Sequence, residues 1–216
     1  MSSVSETIVR EFFELSGFLV RQQRKYIVQT RREDDEVDFL VLNPRVLRQD
    51  APLPFVLSPA DLAAVARAVV VVKGWHTETF SPAVLENAPE IFRFVQPAAI
   101  KRAAESLGDD GLVTKILVVP ALPQQEEECE RSITLLRSKG IDAVIPFHAI
   151  LAHLISQTEV NRNYQKSDLL QTIRVFKNYE LFKEPQLELF KPRARQRKRR
   201  PATVAEVPAS KSPTVD

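Results

Sequence analysis

The run Val69-Val-Val-Val72 constrains the fold more than any other stretch of this chain. Four consecutive β-branched residues without polar alternation make a strand covered on both faces, as at the centre of a sheet with helices on each side. Lys73 comes directly after it, and then Gly74, Trp75 and His76. An earlier apolar run, Glu36-Val-Asp-Phe-Leu-Val-Leu-Asn43, reads as a neighbouring strand. Each run carries an ionisable residue, Asp38 or Lys73, and burying a charge costs several kcal/mol unless it is paired or used.

The rest of the chain supplies the layers such a strand needs. Ile8, Phe12 and Leu15, with Val9 and Phe13 beside them, recur at helical spacing, so a helix is expected over residues 4–16 with Gly17 as its stop. Strands are expected at 18–28, 36–43, 69–72, 115–120 and 141–147. Helices are expected at 59–67, where Ser58 and Pro59 open the turn, and at 81–107, broken by Pro89 and Pro97. Further helices are expected at 124–139, 148–157 and 165–181. The first of these begins with Glu126, Glu127, Glu128 and Glu130 and ends with Arg137, Lys139 and Gly140, matching the helix macrodipole. Two adjacent strands followed by strands alternating with helices predict an α/β fold, a mixed five-stranded sheet flanked by helices on both faces. One domain is expected over 1–183, with a core at 4–147 and closing helices at 148–181.

Charge separates this domain from the C-terminal segment. Residues 191–216 hold eight Lys or Arg and two acids, a net +6, although the whole chain is only +2. Seven of the eight are Lys191, Arg193, Arg195, Arg197, Lys198, Arg199 and Arg200. Apolar periodicity stops near Glu184, so 184–216 reads as a basic, disordered tail able to attract a polyanion such as DNA.

Several classes are disfavoured. No apolar run reaches the roughly 20 residues that cross a bilayer, and the N-terminus lacks the pattern of a signal peptide. A cytoplasmic protein without a membrane partner is expected. The single cysteine, Cys129, cannot form an internal disulfide and reads as a small core residue of a helix. One Cys and three His give no support for a zinc cluster. The five glycines form no phosphate-cradling loop.

The element order, with Asp38 and Lys73 on consecutive core strands, resembles the PD-(D/E)xK nuclease superfamily over about residues 4–147. That superfamily includes the type II restriction enzymes and the archaeal Holliday-junction resolvases. The resemblance implies a restriction-endonuclease-like domain that hydrolyses DNA phosphodiester bonds with Mg²⁺ or Mn²⁺, and it allows a homodimer. It implies Asp38 as a metal ligand, the backbone carbonyl of Val72 as another, and Lys73 as the residue that activates water or stabilises the transition state. Resolvase-like members add a Glu about eleven residues before the Gly that ends the first helix, a spacing that Glu6 and Gly17 share. A carboxylate-held divalent ion suits this reaction because it neutralises charge developing on phosphate oxygens and acidifies a bound water.

One position departs from the pattern. The family places an acidic residue or Gln two positions before the lysine, and here that residue is Val71. Either another carboxylate fills the gap (Glu36, Glu78 or Glu86), or the fold binds nucleic acid or a protein partner without cutting it. Other readings compete residue by residue. Glu6 completes a capping box with Ser3, Lys73 can carry its ammonium to the sheet edge, and Asp38 and Lys73 can form a purely structural pair. Trp75 and His76 stand at the mouth of any such site, where an indole can stack on a base and an imidazole can meet phosphate. His148 and His153 have no partner motif and read as structural.

Overall fold

The computed structural model describes residues 3–23, 37–46, 52–108 and 112–182. The chain divides into two units, Met1–Leu181 and Phe182–Asp216. The basic tail lies outside the described residues, as do residues 24–28 of the expected strand 18–28.

The mixed five-stranded sheet with helices on both faces is present. Its strands are β1 (Leu19–Gln22), β2 (Phe39–Leu42), β3 (Arg67–Val72), β4 (Thr114–Val119) and β5 (Ala143–Pro146), arranged in sequence order. β1, β2 and β3 form an antiparallel meander, and β3, β4 and β5 run parallel. The helices are α1 (Ser3–Leu15), α2 (Pro82–Asn87), α3 (Pro97–Ser106), α4 (Glu126–Ser138), α5 (Phe147–Gln157) and α6 (Asp168–Asn178). The two parallel connections each need a crossover, and α2, α3 and α4 supply the helical segments.

The four valines lie where an unalternating run requires. Val70 and Val72 join Val9, Phe12, Phe13, Phe39, Ile116, Ile145 and Ile150 in the layer beneath α1, α5 and α6. Val69 and Val71 join Leu40, Phe80, Leu85, Ile91, Phe94, Leu117, Leu136 and Val144 in the opposite layer, beneath α2, α3 and α4. Each fully buried side chain of this size stabilises the fold by roughly 1.5–3 kcal/mol relative to exposure. The expected stripe on α1 divides by burial, with Val9, Phe12 and Phe13 inside and Ile8 and Leu15 partly covered.

Local chemistry sets the element ends. Gly17 and Gly140 both take φ of +90°, and the following amides return into the helix as Phe18 to Phe13 and Ile141 to Leu136. This is the glycine-terminated turn that the sequence predicts at both places. Pro89 and Pro97 break the 81–107 segment into α2, a 3₁₀ stretch at Pro89–Val95, and α3. The expected helix at 59–67 is instead a 3₁₀ turn, Pro59–Ala64, opened by the Asp61 carboxylate accepting from the Ser58 amide at 2.7 Å. It is shorter because β3 begins at Arg67, before the valine run. Cys129 is half-buried on α4 rather than a core residue. At the far end, the Lys177 ammonium donates to the carbonyls of Ile155 and Thr158, closing the C-terminus of α5 against α6.

Candidate functional site

Four chain segments end at one edge of the sheet: the first turn of α1, the C-terminal end of β1, the N-terminal approach to β2, and the C-terminal end of β3. They are joined by specific polar contacts. The Asp38 carboxylate (4% exposed) accepts the Val72 amide through Oδ2 at 2.7 Å. One residue along β1 from its last pairing with β2, the Gln23 amide donates to the Asp38 carbonyl at 2.9 Å. Gln22, paired with Phe39 across the ladder, donates its side-chain amide to Glu6 Oε2 at 2.9 Å.

A β-bulge sets the position of Asp38. Phe39 is the ladder partner of Val70, and the Asp38 amide also donates to the Val70 carbonyl at 3.2 Å, so two residues of one strand face one of the next. Val37 and Leu40, three positions apart, consequently belong to the same core layer. The simple alternation that groups Asp38 with Leu40 therefore does not run through residue 38, and β2 begins at Phe39 rather than at residue 36. Beyond the bulge, the Asp38 carboxylate occupies the place of a strand carbonyl opposite Val72. Amides on β3 alternate in direction, and the Lys73 amide turns the other way, to the Val118 carbonyl of β4 at 3.1 Å.

Lys73 is half-buried and comes directly after the last residue of β3. Two positions before it, Val71 is 2% exposed and packed inside the second layer. Two positions after it, Trp75 packs partly buried against the same layer, its ring 5.7 Å from Phe80 in an edge contact. His76 goes to the other side. Its Nε2 lies 2.8 Å from the hydroxyl of Ser5, which is 2% exposed, and its ring meets Phe147 at 4.5 Å.

The expected residues are thus placed unequally. Glu6, Asp38, Val72, Lys73 and His76 belong to the segments that meet at this edge. Glu36, offered as a substitute ligand, and Lys191, Arg193, Arg195, Arg197, Lys198, Arg199 and Arg200 lie outside the described residues. Glu78 and Glu86 are exposed, and no three acidic, His or Cys side chains gather into a metal-sized group among the described residues. His148 is exposed on α5, and His153 packs edge-on against Phe12 at 5.3 Å. Burial lowers the His153 pKa from its ordinary value. Two clefts elsewhere, of about 430 Å³ along α4 and about 350 Å³ between α1 and the 162–167 loop, are lined by none of these residues.

Sequence reasoning missed Ser5, Gln22 and Gly74. Ser5 shares the helical stripe of Val9 and Phe12, and a polar residue on an apolar stripe calls for a partner. Gly74, two residues past the last residue of β3, signals close approach of another segment. No helix among the described residues is long and apolar enough to cross a membrane. Comparison of the chain with protein-family models, with curated proteins and with solved structures found no match in any of the three.

Proposed function

We propose that this protein is a divalent-metal-dependent nuclease whose site is the sheet edge formed by Glu6, Asp38, Val72 and Lys73. The observation that carries the reading is the buried Asp38 carboxylate bound to the amide immediately before Lys73. Topology supports it as well: a helix, an antiparallel meander, and a parallel strand reached through helices.

The donor set suits a hard cation. Carboxylate and carbonyl oxygens are the ligands Mg²⁺ prefers, and within a strand the Val72 carbonyl leaves on the same edge as its amide, toward Asp38. Asp38 and the Val72 carbonyl would hold the ion, with Glu6 as third partner; the ion supplies Lewis-acid activation of water and charge neutralisation on phosphate. The bond to the Val72 amide fixes the orientation of the Asp38 carboxylate at the end of β3. Lys73, on the adjoining residue, is placed to stabilise negative charge on the scissile phosphate or to orient the attacking water. Trp75, partly exposed just past the same strand end, offers a ring face for base stacking, and the basic tail draws DNA toward the domain by charge.

Incubation of supercoiled plasmid, branched DNA and single-stranded DNA with Mg²⁺ or Mn²⁺ tests the reading. Wild type should cut at least one substrate, and Asp38→Asn and Lys73→Met should each lower the rate at least a hundredfold while keeping the native circular dichroism. Equal cutting by both variants would refute the assignment.

A second reading is favoured by Val71, which is a packed core side chain where the family pattern places a ligand. On this reading the fold binds DNA or a protein partner without hydrolysis. It predicts gel shifts with no cleavage under any divalent metal.

A further inference from the structure

We infer that Ser5, Gly74 and His76 form a latch that seats the first turn of α1 on the end of β3, and that they act as positioning residues for Glu6. The inference rests on the nuclease reading for the purpose of the latch, but not for its existence. Three observations carry it. Ser5 is a buried polar residue whose hydroxyl has its partner in His76 Nε2, 71 positions along the chain and 2.8 Å away. A Cβ added at Gly74 would stand 2.8 Å from Ser5 Oγ and 3.3 Å from Ser5 Cβ, so only glycine lets the helix turn come this close. The imidazole is backed by the Phe147 ring at 4.5 Å, which limits its rotation away from Ser5.

The mechanical consequence falls on the next residue. Glu6 is adjacent to Ser5 in the same turn, so the distance of Ser5 from β3 sets the distance of the Glu6 carboxylate from the strand end that carries Val72 and Lys73. Gln22 holds Glu6 from the β1 side at 2.9 Å. Glu6 is thereby located from two directions, through its backbone by the latch and through its side chain by Gln22. Orienting groups of this kind alter metal affinity about 10–100-fold in well-studied sites when removed.

The test uses the full chain and two readouts. The side-chain amide protons of Gln22, observed by NMR, report whether Glu6 remains its acceptor. Mn²⁺ titration reports the assembled site. Ser5→Ala and His76→Phe, the latter keeping a ring against Phe147, are expected to shift the Gln22 signals toward free-carboxamide values and to weaken Mn²⁺ binding about tenfold. Gly74→Ala should do the same, and Ser5→Gly added to Gly74→Ala should restore the thermal midpoint by removing both close contacts, yet leave Mn²⁺ binding weak for lack of the hydroxyl. Unchanged Gln22 signals in Ser5→Ala and His76→Phe would overturn the latch, whatever the protein does to DNA. A wild type that binds no Mn²⁺, together with variants whose Gln22 signals do move to free-carboxamide values, would refute the nuclease reading and leave the latch standing.

Discussion

The Asp38 carboxylate extends the β2–β3 ladder past the bulge, accepting the Val72 amide at 2.7 Å while its backbone amide donates to the Val70 carbonyl. This bond joins the start of β2 to the end of β3 and holds a carboxylate beside the residue that precedes Lys73. It also makes Asp38 a structural residue as well as a candidate ligand, so the two roles must be separated by the choice of substitution.

Asp38→Ala should destabilise the domain by about 1–3 kcal/mol, the penalty for leaving a buried amide without a partner. Asp38→Asn keeps an acceptor oxygen and should cost less. Urea unfolding followed by circular dichroism distinguishes them, and equal stabilities of the alanine variant and wild type would show that water replaces the carboxylate at no cost.

Val71→Glu separates a missing ligand from a closed core position. Val71 is packed among Leu40, Phe80 and Leu117 in the second layer, so an added carboxylate there should lower stability by about 3 kcal/mol or more without divalent metal. If stability returns on adding Mg²⁺, the position faces the metal; if it does not, the core has absorbed that corner of the site.

Acid stability should depend on His153. Burial lowers its pKa in the folded state, so the unfolded chain takes up the proton first as pH falls. The contribution is therefore present above the unfolded value of 6.5 and is lost as pH drops through it toward the folded value. His153→Gln should flatten the loss of thermal midpoint between neutral and mildly acidic pH, and an unaltered profile would assign that loss to other groups.

Deleting 191–216 should remove most of the salt-sensitive affinity for DNA. Each phosphate neutralised contributes about −0.9 to the slope of log K against log salt for B-DNA. A fluorescence-anisotropy series from low to physiological salt should give a steep slope for the full chain and a shallow one for the truncation. A slope unchanged by truncation would place the DNA contacts on the folded domain.

The fold was legible where physical signals were redundant. The β-branched run at 69–72, the apolar stripe of α1, and the glycines at 17 and 140 each specify an element by composition and by termination together. The site was legible only in part. Asp38 and Lys73 stood out because charge interrupts apolar sequence, and Glu6 only because the resemblance to the nuclease superfamily implies a Glu at that spacing from Gly17. The bulge at Asp38 was hidden, since one charged residue at the start of an apolar run reads the same whether or not it is an extra residue in the ladder. Gln22 and Ser5 were hidden for a different reason: their importance lies in partners 16 and 71 positions away, which no local pattern encodes. The short 3₁₀ turn at Pro59–Ala64 shows the limit of local capping signals, because Ser58, Pro59 and Asp61 mark where a turn starts and not how long it runs.

The central claim is that Asp38 and Glu6 hold one divalent ion at the end of β3, and Mn²⁺ binding followed by electron paramagnetic resonance tests it most directly. Wild type is predicted to bind one Mn²⁺ per chain, Asp38→Asn to lose that site, and Glu6→Gln to weaken it about tenfold, as removal of one hard oxygen ligand should. Undiminished binding in Asp38→Asn, or no bound ion in wild type, would contradict the account.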